Sequence, residues 1–188
     1  MKRSVFFCAI LLAFMFGAGC STTGTATGDP AARRIALNAN ADAALSNLFT
    51  QVQGSQELVR KARGVLVFPS VLEAGFVFGA STGDGVLRKG GRTVSFHRTT
   101  SGSWGMQLGA QSTAVFLLFM TDEALARFEA SEGWSVGADA SVTLVSVGAN
   151  AQMTSETAQQ PVIGFVLSNR GLMAGITLNG TRVTRLAL

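Results

Sequence analysis

One serine in this chain stands in a pattern that is typical of a catalytic site. Gly79–Gly83 reads Gly-Ala-Ser-Thr-Gly and formally matches G-x-S-x-G, while Asp84 and His97 supply a nominal acid and base. The motif works when its serine stands on a sharp turn from a strand into a helix, next to an oxyanion hole. Here a glycine-rich turn and another strand pattern follow, so Ser81 is predicted to lie in a turn. Serine hydrolysis at Ser81 is the least favoured function, and we expect a domain that is not an enzyme.

The sequence lacks the residues that ordinary metal and cofactor sites need. His97 is the only histidine, and the two cysteines, Cys8 and Cys20, lie near the N-terminus, so no ordinary zinc site is expected. Four acids in Asp122–Glu132 have the spacing of a solvated helix face and lack the calcium-loop pattern. No phosphate loop or dinucleotide fingerprint occurs. We therefore expect no metal and no cofactor.

A cationic hairpin is the best candidate for a binding surface. No acidic residue occurs between Asp84 and Asp122, although several cations do. The predicted lipid-binding residues are Arg88, Lys89, Arg92, Arg98 and Trp104. Lys and Arg near a membrane attract anionic lipid headgroups, and Trp can lie at headgroup level. The alternatives are a solvated hairpin rim for the cations and a core position for the Trp.

Residues 1–19 have the layout of a secretory signal. Two cations precede the apolar run Val5–Phe16, and small residues follow it. The run is shorter than the ~20 residues that a membrane-spanning helix needs. We therefore predict that residues 1–19 are a signal peptide and that the protein is exported.

Cys20 is the predicted lipid anchor. It follows Gly17–Gly19, which resembles a bacterial lipobox, where the cysteine is acylated and becomes the new N-terminus. Residues 20–29 are then the lipidated cysteine and a flexible Ser/Thr/Gly tether. Ser21 in place of Asp resembles the sorting signal for the outer membrane.

The remaining chain, residues 30–188, is predicted to be one domain. A length of 188 residues with 47% hydrophobic and 14% charged residues is typical of a packed globular protein. Removal of Lys2 and Arg3 from the 15 cationic residues leaves a small positive balance against 11 acidic residues. That balance does not favour nucleic-acid binding.

Helical periodicity predicts three helices, over Ala31–Gln53, Ser55–Ala62 and Thr121–Ala130. Asp29-Pro30 offers an N-cap followed by proline at the first helical position. The first helix carries apolar residues on one face between Leu37 and Val52. This face is expected to pack on the core, and the alternative is that it lies in a membrane interface.

Short Val- and Phe-rich runs between turn residues predict ten strands. They are Gly64–Phe68, Gly75–Ala80, Gly85–Arg88, Arg92–His97, Trp104–Gln111, Ala114–Met120, Ala140–Ala149, Val162–Leu167, Gly171–Leu178 and Arg182–Leu186. Pro69 is expected to end the first strand, and Lys89-Gly90-Gly91 to form a tight hairpin turn. Glycines such as Gly83 and Gly85 require a sharp bend or a close contact. The predicted fold is α+β, with a strongly curved or barrel-like antiparallel sheet and a few packed helices.

Three segments resemble the SYLF domain family: Ala62–Val86, Trp104–Gln111 and Ser168–Gly180. The resemblance runs from about Leu45 to Leu186. Eukaryotic members of that family bind phosphoinositide membranes and, in yeast, actin, whereas many bacterial members are lipoproteins of unassigned role. The resemblance implies a lipid-binding domain, with a protein-interaction module like the actin-binding relatives as the alternative.

The expected protein is therefore an exported lipoprotein of the outer membrane, with its domain in the periplasm or at the cell surface. Its expected partners are anionic membrane lipids and, in the alternative, an envelope protein.

Overall fold

The computed structural model describes residues 29–75, 78–104, 109–145, 159–168, 171–173 and 178–188. In these residues it has three helices and nine strands. They are α1 (Pro30–Gln51), α2 (Ser55–Lys61), β1 (Gly64–Gly75), β2 (Phe78–Lys89), β3 (Arg92–Trp104), β4 (Gly109–Phe119), α3 (Asp122–Ala130), β5 (Gly133–Ser135), β6 (Thr143–Leu144), β7 (Val162–Ser168), β8 (Gly171–Leu172) and β9 (Arg182–Arg185).

The strands form one sheet in the order β5-β9-β3-β2-β1-β4-β7-β6, with β8 also paired to β7. Each described pairing is antiparallel except that of β6 with β7. The sheet is strongly curled into a half-barrel. The α+β single domain with a curved antiparallel sheet is therefore confirmed.

Helix α1 begins as its sequence predicts and packs on the sheet. The carboxylate of Asp29 accepts a hydrogen bond from the backbone N–H of Ala31 at 3.0 Å, and Pro30 is the first helical residue. Buried residues of α1 include Ala41 and Leu48. The face between Leu37 and Val52 thus packs on the core, and its alternative placement in a membrane interface is wrong. Across the described segments, we find no helix with both the length and the apolar character needed to cross a membrane.

The two strands at the centre of the sheet are buried on both faces. Four residues of β1 and β4 face α1 and α2, namely Val65, Val67, Phe116 and Leu118. Their sequence neighbours Leu66, Phe68, Leu117 and Phe119 face α3 and Trp134. Because helices or loops cover each face, these strands read as continuous apolar runs rather than alternating ones. Each fully buried side chain contributes about 1.5–3 kcal/mol of transfer free energy.

Strand β1 continues through Pro69, which was expected to end it. Val67 pairs with Val86 and Leu72 pairs with Thr82, so five steps along β1 match four along β2. The extra residue forms a β-bulge. Proline is tolerated there because a bulge leaves a residue without a ladder hydrogen bond. The strands predicted over Gly75–Ala80 and Gly85–Arg88 differ from the structure as well: Gly75 is the last residue of β1, and one strand, β2, runs from Phe78 to Lys89.

Glycines of β2 allow this bulge to approach. A Cβ at Gly83 would lie 2.7 Å from the carbonyl oxygen of Ser70, and one at Gly85 would overlap the ring of Phe68. The predicted close contact at these glycines is confirmed. At the other end of β2, Gly90 and Gly91 have φ values of 54° and 79°, which is the geometry of the predicted hairpin turn.

Candidate functional site

Arg88 joins the β2–β3 hairpin to α1. Its side chain, 11% exposed, donates to the carboxylate of Asp42 at 2.5 Å and to the carbonyl oxygen of Asn38 at 3.2 Å. Its Nε is buried and has no hydrogen-bond partner among the described residues. Thr93 donates to the side-chain oxygen of Asn38 at 2.5 Å. The alternative of a solvated rim is therefore wrong for Arg88, because α1 covers it.

Lys89 and Arg98 also form ion pairs. Lys89 Nζ donates to Glu129 of α3 at 2.7 Å. Arg98 donates twice to Asp84, at 2.7 and 3.0 Å, and Arg33 of α1 donates to the same carboxylate at 3.0 Å. The hydrogen bond from Arg98 is the main cause that lowers the pKa of Asp84, while partial burial opposes it. Two guanidinium groups thus share one carboxylate.

Arg92 and Trp104 lie at opposite ends of β3. Arg92 is exposed and forms no ion pair within the part of the chain that the structure describes. The backbone of Trp104 pairs with Phe78 at the far end of the strand, and the Trp104 side chain lies outside the described part. At about 3.3 Å per residue, the 13-residue strand separates the two by about 40 Å along the chain. The five predicted lipid-binding residues therefore do not form one cluster, and their role in lipid binding stays a prediction.

Two cations and an apolar residue of α1 were missed by the sequence reasoning. Arg33 binds Asp84, and the guanidinium carbon of Arg34 lies 6.0 Å from the ring centroid of Phe96 on β3. Ile35 is 71% exposed. The sequence did contain a signal for the two cations. The helix dipole disfavours cations in the first turns of a helix, so contacts of these cations with other elements could have been expected.

Helix α1 and the β2–β3 hairpin each carry an exposed cation and an exposed apolar side chain. Arg34 and Ile35 lie one turn before Asn38, which contacts the hairpin at Arg88 and Thr93. On the hairpin, Arg92 is exposed and Val94 is 47% exposed. We call Arg34, Ile35, Arg92 and Val94 the α1–hairpin surface. It combines two cations with two exposed apolar side chains.

Ser81, Asp84 and His97, the nominal hydrolase residues, each form a hydrogen bond with a different partner. Ser81 lies inside β2, not in a turn, and its Oγ is 2.6 Å from Oγ of Ser101 on β3. Asp84 holds Arg98, as described above. The β2–β3 register places His97 opposite Gly85, four residues along the strand from Ser81. The described geometry therefore contains no hydrogen bond between the serine and the histidine.

His97 is a buried, neutral histidine. It is 7% exposed, and its ring centroid lies 4.9 Å from that of Phe128. Burial lowers its pKa to about 4, with a further contribution from the charge of Arg185, while Glu129 opposes the shift. Among the described residues, no group of three His, Cys, Asp or Glu side chains is arranged to hold a metal ion.

Comparison with known proteins identifies part of the chain. Residues 100–186 match the model of the Ysc84 family, described as Las17-binding protein actin regulator. No curated protein matches the chain. The matched segment begins near the end of β3 and ends just after β9, so the α1–hairpin surface lies outside it. The match confirms the resemblance to the SYLF family.

Proposed function

We propose that this chain, whose residues 100–186 match the model of the Ysc84 family, is a non-catalytic membrane-binding module of an exported lipoprotein. It binds anionic phospholipid headgroups through the α1–hairpin surface. The observation that carries this proposal is that α1 and the hairpin it contacts carry Arg34 and Arg92, which form no ion pairs with described residues, and also the exposed Ile35 and Val94.

The ion pairs decide which cations can attract a membrane. Arg88 and Lys89 are each neutralised by one carboxylate. Arg33 and Arg98 share Asp84 and retain one excess positive charge. Together with Arg34 and Arg92 this leaves about three charges, each worth about 1 kcal/mol near an anionic surface. The domain itself therefore binds weakly and reversibly.

Exposed apolar side chains add a second contribution. Ile35 and Val94 are 71% and 47% exposed, and burial of an apolar side chain in the interface is favourable by about 25 cal/mol per Å². Cations beside apolar groups are the composition of interfacial membrane-binding elements. The α1–hairpin surface thus suits the boundary between headgroups and acyl chains.

The anchor at Cys20 is part of the same proposal, although it lies outside the described residues. Each buried acyl methylene contributes about 0.8 kcal/mol, so the acyl chains hold the protein at the outer membrane. The tether at residues 20–29 lets the domain reach the lipid surface from the periplasm or the cell exterior. The domain contacts then orient the protein rather than retain it.

Liposome flotation of the chain from Ser21 onwards, which contains every described residue, tests the proposal. We expect flotation with vesicles that contain anionic phospholipid and none with neutral vesicles. Binding should fade as salt shortens the screening length from ~10 Å at 0.1 M to ~3 Å at 1 M. The double variant Arg34→Glu/Arg92→Glu should lose flotation.

The matched control is Arg60→Glu/Arg127→Glu, which reverses two exposed cations on α2 and α3. It changes the net charge equally but leaves the α1–hairpin surface intact. Equal loss in both variants would show a response to net charge alone. Undiminished flotation of Arg34→Glu/Arg92→Glu would place lipid binding elsewhere.

A protein-interaction module is the second candidate function. The family description, Las17-binding protein actin regulator, favours it. Capture of envelope extract on the immobilised chain, with and without detergent-solubilised lipid, separates the two. A protein partner retained without lipid, together with no binding to any liposome, would favour this candidate.

A further inference from the structure

A cavity of about 390 Å³ opens between β3, β9 and the C-terminal end of α3. Its lining includes Ser95, His97, Phe128, Glu129, Glu132 and Arg185. None of these residues belongs to the α1–hairpin surface. The volume is near the lower end of small-molecule sites, so the ligand that fits is about the size of an amino acid or a dipeptide.

His97 brings a ring nitrogen without a protein hydrogen bond to this cavity. Its Nε2 lies 2.8 Å from Oγ of Ser95, and the other ring nitrogen has no hydrogen bond to any described residue. Because Ser95 can either donate or accept, the free nitrogen can take either role towards a ligand. A buried imidazole that lines an open cavity is therefore a preformed hydrogen-bonding position.

Charges of both signs border the cavity without meeting. Glu132 and Arg185 both line the cavity, yet no ion pair joins these two described residues. The last turn of α3 adds the negative end of its helix dipole. Glu129 is already paired with Lys89 at 2.7 Å. One carboxylate and one guanidinium thus remain free at the same cavity.

We propose that this cavity binds a small zwitterion that carries an ammonium and a carboxylate group. Arg185 pairs with the ligand carboxylate, Glu132 and the carbonyl end of α3 receive the ammonium, and the His97–Ser95 pair supplies a neutral hydrogen bond. A simple anion would meet the carboxylates, and a simple cation would meet Arg185. The zwitterion satisfies both, and the site is independent of lipid binding.

His97 provides the assay, because it is the only histidine in the chain. Its ring nitrogens, labelled with ¹⁵N, give NMR signals that need no further assignment. We titrate the chain from Ser21 onwards with glycine, β-alanine, 4-aminobutyrate and 5-aminopentanoate, which separate ammonium from carboxylate by increasing lengths. At least one should shift the ring signals saturably. Its N-acetyl and amide derivatives should bind at least about tenfold more weakly, as expected for loss of one charge-assisted hydrogen bond.

Two variants and one control assign the charges. Arg185→Gln and Glu132→Gln should each weaken binding by at least about tenfold. Arg182→Gln, on the same strand but outside the cavity lining, should leave it unchanged. The proposal is overturned if no probe shifts the His97 signals, if the capped derivatives bind as well as the parent, or if Arg182→Gln matches Arg185→Gln.

Discussion

Arg88→Met tests whether Arg88 is a structural clamp or a lipid-binding residue. The side chain is 11% exposed and holds Asp42 and the carbonyl oxygen of Asn38. Methionine keeps most of the apolar stem but removes the guanidinium. We expect lower stability. Because Arg88→Met leaves the Asp42 charge without its partner, lipid binding is measured in Arg88→Met/Asp42→Asn, which removes both charges of the pair and should change it little.

The size of the effect follows from these contacts. A charged hydrogen bond to the Asn38 carbonyl contributes about 1.5–3 kcal/mol. The ion pair adds less than about 1 kcal/mol, because Asp42 is 69% exposed and regains water when Arg88 is removed. Loss of the buried, unpaired Nε recovers about 1 kcal/mol. The free energy of unfolding should fall by about 1.5 kcal/mol, which lowers Tm by about 3–6 °C for a domain of this size.

Urea denaturation and liposome flotation of the same samples measure the two effects. The control is Arg92→Met, which removes an exposed cation of the same hairpin and should change stability by less than about 0.5 kcal/mol. It should also weaken flotation. The reasoning would be refuted if Arg88→Met were as stable as Arg92→Met, or if Arg88→Met/Asp42→Asn lost flotation while remaining folded.

Three further changes test other parts of the structure. The pKa of His97 is about 4 in the fold and 6.5 in the unfolded chain, so the unfolded state binds more protons between these two pH values. The free energy of unfolding should therefore fall by up to about 3 kcal/mol as the pH is lowered from 6.5 to 4. An identical pH profile of urea denaturation for His97→Asn would contradict this. Gly85→Ala should cost about 2–3 kcal/mol, because its Cβ would overlap Phe68 and the Val67 carbonyl, whereas Gly102→Ala, with nothing within 4 Å of its Cβ, should be near neutral in the same assay. Cys20→Ala should release the protein from the membrane fraction, and a variant that still sediments with membranes after a high-salt wash would place the anchor elsewhere.

Local signals in the sequence determined the helix starts and the hairpin turn. Asp29 before Pro30 and Thr121 before α3 both act as N-caps, and Gly90-Gly91 forms the predicted turn. Each depends on residues within a few positions, so its chemistry can be recognised without the rest of the fold. The apolar runs also predicted which strands are buried, since burial follows side-chain type.

Strand boundaries depended on the neighbouring strands instead. Pro69 and Gly83 are signals for turns when only adjacent residues are considered. In the sheet they form a bulge and the close contact that accommodates it, and β1 and β2 each continue for 12 residues. The pairing partners supply the hydrogen bonds and packing that override the local preference.

The candidate site shows the same division. Its composition as a basic hairpin was readable from the sequence, since no acid occurs between Asp84 and Asp122. Which cations remain free was decided by the tertiary structure, because the acids that neutralise Arg88 and Lys89 lie 46 and 40 positions away, on α1 and α3. The sequence determines how many charged groups there are. An ion pair, however, depends on the distance of a few ångströms between two groups, and the packing of the helices on the sheet sets that distance.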